Sequence, residues 1–297
     1  MARDEAELYI EARHRLGEAI IWHVARQRLM WIDLLDPALF EHDLATGQTQ
    51  SRRLALPPPI GAIAATSDPD LLALTHRQGL SLLAIADLKL RPFCDPEAGR
   101  DAIIWNDAKC DPWGRLWIGS SHEKEREPRG ALWCVKDRKT FALGDAGFAV
   151  SNGPAFSPDG RTLYFNDSAG RATLAYDITT EDPHPRNRRT LIAYAPDEGL
   201  PDGIVTDAEG CLWVAHWGAP RISRYRPDGR LIHAYRVPAG NVTTMCFGGS
   251  DLQTLYITTA RDGLGDGTLA EFPGTGSIFR LETETQGLPE PLFAVDT

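Results

Sequence analysis

The chain has 297 residues, 42% of them hydrophobic, and a formal net charge of -10. That length and apolar content suffice for one large core or two ordinary ones. An acidic chain without a basic cluster is a poor partner for nucleic acid or an anionic membrane, and the one basic run, HPRNRR (residues 184–189), reads as a solvated loop among Pro, Asp and Asn.

The first segment in chain order, AELYIEA (residues 6–12), is strand-like, and nothing around it has the long apolar stretch of a leader or a membrane span. A phrase then begins to recur: a turn followed by an apolar strand. It appears as HVARQRLMWID with Trp31, as TSDPDLLALTH around Leu72, and as DPWGRLWIGS with Trp117. It returns as SPDGRTLYFND with Tyr164, DAEGCLWVAH with Trp213 and GSDLQTLYITT with Tyr256. The last four aromatics are 47, 49 and 43 residues apart. Each copy is followed by a second phrase, strand, polar turn, strand, from ALFEHDLATGQTQSRRLAL to GSIFRLETETQGLPEPLFAV. Four short strands in about 45 residues, repeated six times, predict an all-β chain folded as a six-bladed β-propeller with four-stranded blades. The expected organisation is one closed domain over residues 1–297, with the N-terminal strand pairing with the last blade so that no sheet edge is left open. Five cysteines, widely spaced and without a CxxC pair, fit reduced thiols in a cytoplasmic protein rather than a disulfide frame or a zinc site.

The inner strand of every blade lines the central channel, so one place in the repeat is presented six times around one mouth. Counting back from the aromatic of the first phrase, Glu18, Asn106, Asn152 and Asp202 lie 13, 11, 12 and 11 residues away. Their contexts, LGEAIIW, WNDAKCDPWG, SNGPAFSPDG and LPDGIVTDAEG, match. The other two blades offer the surroundings of Gly61 and of Thr243 and Thr244. Converging carboxylates and carboxamides repel unless a cation lies between them, and an all-oxygen set suits Ca²⁺, Mg²⁺ or Mn²⁺, and zinc more weakly. The competing reading is that Asn and Asp beside Gly are ordinary turn residues. Asp159 and Asp207 read as structural turn residues and His216 as a core histidine. His122, after a channel strand, is a substrate-contact candidate, with Trp105 and Tyr164 as weaker candidates for the pocket wall.

These motifs resemble the gluconolactonase, regucalcin and sugar-lactonase family. That family's GEGPxW, NDGKxDPxGRxWxGT, SNGxxxSPDGxxLYxxDS, PDGxxxDxxGxLWVA and CFGG…LYxTxA stand here as GEAIIW, NDAKCDPWGRLWIGS, SNGPAFSPDGRTLYFNDS, PDGIVTDAEGCLWVAHWG and CFGGSDLQTLYITTA. The resemblance covers nearly the whole chain in order. It implies one divalent metal ion held by Glu18, Asn152 and Asp202, with Asn106 on substrate or a metal-bound water and Asp202 as general base. It implies hydrolysis of a small-molecule sugar lactone, such as a glucono-, xylono- or arabinonolactone, to the aldonic acid, by a monomer or weak homo-oligomer. Two departures stand out: GEGP has become GEAI, which would reshape the turn at Glu18, and Ile104 replaces the Arg that often grips substrate. An esterase or phosphotriesterase on the same scaffold, or a non-enzymatic calcium-binding propeller, remain the alternatives.

Overall fold

The computed structural model describes residues 4–295. Its strands form six antiparallel sheets of four, and the sheets are the blades of a six-bladed β-propeller. The inner strands are Gly17–His23, Ile63–Ala65, Ile103–Cys110, Ser151–Phe156, Leu200–Thr206 and Val242–Gly248. Each packs against the inner strand of the next blade, and the last packs against the first, which closes the ring. Blade six takes three strands from the C-terminal part and its outermost strand, Glu7–Ile10, from the N-terminus, in antiparallel register with Ile278–Glu282 (Glu7 opposite Arg280).

The recurrent aromatics fill the spaces between sheets. Trp31, Trp117 and Trp213 are at most 1% exposed. A buried indole N–H needs an acceptor, and this explains the spacing of the repeated phrase. In blade three the Asp111 carboxylate accepts from the turn amides of Trp113 and Arg115 and from Trp117 Nε1. In blade five Asp207 does the same for Glu209, Cys211 and Trp213 Nε1. An aspartate six residues before the tryptophan thus ties the turn and satisfies the buried ring. Asp207 is a structural residue of this kind, whereas Asp159, in the corresponding turn of blade four, is exposed and accepts from Ser157 Oγ and the Arg161 amide.

The end of the chain departs from the repeat. The segment expected to finish the sixth copy, LPEPLFAV, forms no strand of a blade. It crosses the underside of the ring, where the Phe293 amide donates to the Ala65 carbonyl, the Ala294 amide to the Gly114 carbonyl, and Lys109 Nζ meets Glu290 at 2.9 Å. Two prolines within four residues, Pro289 and Pro291, remove the donors a ladder would need. A cavity of about 270 Å³ lies between this segment and the lower ends of the inner strands. Above it the channel is filled by Ile21, Ile63 and Ile204, which leave a void of about 10 Å³, room for a single water.

Candidate active site

The polar residues at the opposite mouth owe their direction to a shared irregularity. In five inner strands two residues face one on the second strand. These bulges lie between Glu18 and Ile21, Trp105 and Ala108, Asn152 and Ala155, Pro201 and Ile204, and Val242 and Met245. A bulge breaks the strict alternation of side chains and re-aims them. Glu18 and Asn152 stand just before their bulges, Asn106 and Asp202 at the first bulged position. The four are therefore not at one register position, as counting suggested; the local backbone turns two successive positions toward the mouth. Tight neighbours fix this geometry. A Cβ on Gly203 would meet Thr244 Oγ1 at 2.2 Å, and Gly153 combines a φ of +71° with a would-be Cβ contact of 2.5 Å to Ile204. Ala19, where the family pattern has Gly, keeps a φ of 50°. The change to GEAI therefore leaves a left-handed bulge in place, at the strain cost of a Cβ in that region.

Glu18 and Asp202, from blades one and five, are buried at 6% and 4% exposure. Glu18 Oε2 accepts from the Ala19 amide at 3.1 Å. Burial, then the charges of Asp202 and Asp107, push the Glu18 carboxyl well above its ordinary range. Burial, then Asp107 and Glu125, do the same to Asp202. Among the described residues no lysine or arginine offsets either acid, and no donor reaches the Asp202 carboxylate. The Asp202 main chain is firmly held: its carbonyl accepts from Asn166 Nδ2 at 2.5 Å, and Ser168 Oγ donates to the neighbouring Pro201 carbonyl. Ser168 Oγ also accepts from Asn152 Nδ2 at 2.9 Å, which turns Asn152 Oδ1 toward the mouth. Asn106 uses both amide hydrogens, one to the Ser151 carbonyl and one to Asn152 Oδ1, leaving its own Oδ1 for another contact.

Two acids escaped the sequence reading. Asp107 accepts from the Gly153 amide at 3.0 Å, and burial raises its pKa to about 6 against the pull of that amide and of Lys109. In a regular strand the neighbour of Asn106 would point away; the bulge brings both inside, and the repeated context alone gave no signal for it. Glu125, in the loop after Leu116–His122, keeps an exposed side chain, and its pKa is raised by partial desolvation and then by the charge of Asp262. It acts on Asp202 from above the mouth.

The remaining candidates are scattered. Ile104 is half-buried opposite Ser121, one residue from the Ile103–His122 pair. His122 is buried, with Nδ1 accepting from the Lys124 amide at 3.3 Å. Trp105 and Tyr164 lie in apolar clusters between blades, so little of either ring is left for a pocket wall. His216 is fully buried, with Nδ1 2.8 Å from the Glu198 carbonyl, and burial, helped by Arg221, lowers its pKa to about 4. In blade six Thr243 Oγ1 donates to the Gly17 carbonyl at 2.6 Å, so it serves ring closure. All the donors at the mouth are oxygens, a set able to hold a hard divalent cation. No group of three or more His, Cys, Asp or Glu side chains with metal-holding geometry occurs among the described residues. Glu18, Asp107 and Asp202 act on one another through their charges, and Asn106 is bonded to Asn152 at the same mouth.

Residues 16–261 match the model of the SMP-30/Gluconolactonase/LRE-like region. A 6-deoxy-6-sulfogluconolactonase from Pseudomonas putida is 33% identical over 94% of this chain and 95% of its own. A pentonolactonase of Haloferax volcanii is 29% identical over 95% of both chains. The crystal structure of a calcium-binding protein, regucalcin, from Agrobacterium tumefaciens is 30% identical and superimposes with a TM-score of 0.92, covering 98% of this chain and 97% of that one. With its repeats, its ring and its polar mouth all in the order of that pattern, the chain belongs to the SMP-30/gluconolactonase/LRE-like family.

Proposed function

We propose that this protein hydrolyses a sugar lactone to the aldonic acid, using one divalent cation held by Glu18, Asn152 and Asp202. The observation that carries the reading is the buried pair Glu18 and Asp202, uncompensated by any basic side chain. Two carboxylates so placed repel each other and hold protons unless a cation joins them. The donor chemistry fits Ca²⁺, Mg²⁺, Mn²⁺ or Zn²⁺, and relatives named as lactonases and as a calcium-binding protein support it. When bound, such an ion supplies Lewis acidity toward the lactone carbonyl.

The chain's own residues do the rest. Asn106, with both hydrogens committed, presents Oδ1 to a substrate hydroxyl or to the attacking water. Asp202 accepts the proton that the water loses as its oxygen bonds to the carbonyl carbon. The ring C–O bond then breaks, and the departing alkoxide takes that proton from Asp202 to become a hydroxyl, which restores the carboxylate. Ile104, apolar where a guanidinium would grip, favours a small or sparingly hydroxylated lactone.

The test is a lactone panel read by acid release, on metal-stripped protein resupplied with each ion. Activity is expected to vanish on stripping and to return with at least one ion. Undiminished turnover after chelation, or none with any ion, would defeat the proposal.

A further inference from the structure

The underside of the ring holds a second pocket that lactone hydrolysis does not use. It is a cavity of about 560 Å³, walled by Phe93, Trp113, Arg115, Lys136, Arg138 and Lys139, with Asp137 as the acid in the wall. Trp113 and Arg115 sit in the turn between Ile103–Cys110 and Leu116–His122. Residues 136–139 sit in the turn between Gly130–Val135 and Phe141–Phe148. Both turns lie at the end of blade three away from Asn106.

The wall is basic in a protein whose net charge is -10. Among the described residues no carboxylate lies within ion-pair distance of Lys136, Arg138 or Lys139. Asp137 Oδ1 accepts from the amides of Lys139 and Thr140 at 2.9 and 2.8 Å, and the charge of Lys136 acts on the same carboxylate. Glu181, beyond the wall, accepts from the Thr180 hydroxyl, and Asp182 is taken by His184 and Arg186. Arg138 is drawn in: its guanidinium lies 4.9 Å from the Phe93 ring centre and donates to the Pro92 carbonyl at 2.8 Å.

Arg115 and Trp113 form the stacked part of the wall. Arg115 is 5% exposed, its Nε donates to Asp111, and its Nη1 reaches the Asp182 carbonyl at 3.3 Å, yet its Nη2 has no partner. That nitrogen is shut away from the cavity, and Arg115 meets the wall through the face of its guanidinium, 4.8 Å from the Trp113 ring. Asp111 balances Arg115. The three remaining cations against Asp137 leave the wall two positive charges in excess, which a dianion neutralises and a monoanion does not.

We propose that this pocket binds a small phosphomonoester, its phosphate among Lys136, Arg138 and Lys139 and its organic group on Trp113. Guanidinium and ammonium groups suit phosphate oxygens, and the volume lies in the range of small-ligand sites.

Titration calorimetry with phenyl phosphate tests this, with benzoate as the monoanionic control. Binding in the millimolar range or tighter is expected, weakened about tenfold or more in the double variant Lys136→Ala, Lys139→Ala and likewise in Arg138→Ala. All three side chains are exposed and at the end of blade three away from Asn106, so lactone hydrolysis should stay unchanged in both variants, and in the lysine double variant the melting temperature as well. No heat with phenyl phosphate, equal affinity in the variants, or equal affinity for benzoate would each overturn the assignment.

Discussion

Asn106 Nδ2 donates to Asn152 Oδ1 at 2.6 Å, joining blade three to blade four at the mouth of the channel. The bond fixes the direction of a neighbouring proposed ligand, and outer hydrogen bonds of that kind commonly govern metal affinity and activity by about 10–100-fold. Asn106→Asp keeps the shape but sets a carboxylate against Asn152 Oδ1 and the Ser151 carbonyl. It is expected to lower kcat/KM at least about tenfold while leaving the far-ultraviolet spectrum intact. A variant within about threefold of the parent would show that the bond orients nothing of consequence.

Asp202→Asn should remove more than about nine-tenths of the lactone hydrolysis, a loss of at least ~1.4 kcal/mol in the barrier. Stability should move the other way. The substitution removes an acid whose ionisation the fold disfavours, so the metal-stripped variant should melt higher than the metal-stripped parent at neutral pH and respond less to added ion. Melting curves beside steady-state rates would check both, and an active or a destabilised variant would contradict the assignment.

The stabilisation conferred by metal should grow with pH. Glu18 and Asp202 have raised pKa values in the fold, and Asp107 is at about 6. In the metal-free protein these acids hold protons that the unfolded chain has released at the same pH. Their contribution is therefore fully present below the unfolded pKa values and is lost as pH rises through the folded ones, between about 4 and 6 for Asp107, with Glu18 and Asp202 shifted in the same direction. Metal binding requires the deprotonated forms. The gap in Tm between loaded and stripped protein should thus widen from pH 5.5 to pH 8, on the order of several degrees. His216, lowered to about 4, acts with the opposite sign, losing stability as pH falls below about 6.5. It does so in both forms, and the difference between them isolates the carboxylates. A gap that narrows with rising pH would sink the argument.

Ala19→Gly should stabilise the protein by about 0.5–1 kcal/mol. Ala19 holds a φ of 50°, a conformation that costs a non-glycine residue about 1–2 kcal/mol, partly offset by the larger entropy glycine loses on folding. Chemical denaturation would read the change, and a lower midpoint would mean that the Ala19 methyl contributes packing that outweighs the strain.

Ile104→Arg should lower KM for a highly hydroxylated lactone with little change in kcat, because a charge-assisted bond to a remote hydroxyl serves ground state and transition state alike. Ile104 is half-buried beside the mouth, which leaves room for a longer side chain to reach out. Joint loss of melting temperature and activity would show instead that the position is part of the core.

The ring was legible because every blade repeats a turn followed by an apolar strand, and in blades three and five an Asp-tied turn with a buried tryptophan made Trp117 and Trp213 announce their sheets. The mouth was legible only in part. Glu18, Asn106, Asn152 and Asp202 stood out by type and context, but their uneven distances from the aromatics recorded bulges that composition does not reveal. Asp107 was hidden for that reason, and Glu125 because an acid in a run such as HEKEREP carries no sign of which way it points. The final strand was misassigned because LFAV has the pattern of a strand, while its destination depends on what the underside of the ring leaves uncovered.

The isoleucines that fill the channel above the tail make the site a blind well rather than a through-passage. Whatever enters by the mouth must leave by it, past Glu125 and Asp262, so traffic in the two directions competes for one opening. In the proposed reaction the traveller changes charge: a neutral ring goes in and a carboxylate comes out. The cation proposed at the floor of the well holds a carboxylate more firmly than a neutral ring, so departure, not arrival, is the passage that a single opening makes slow.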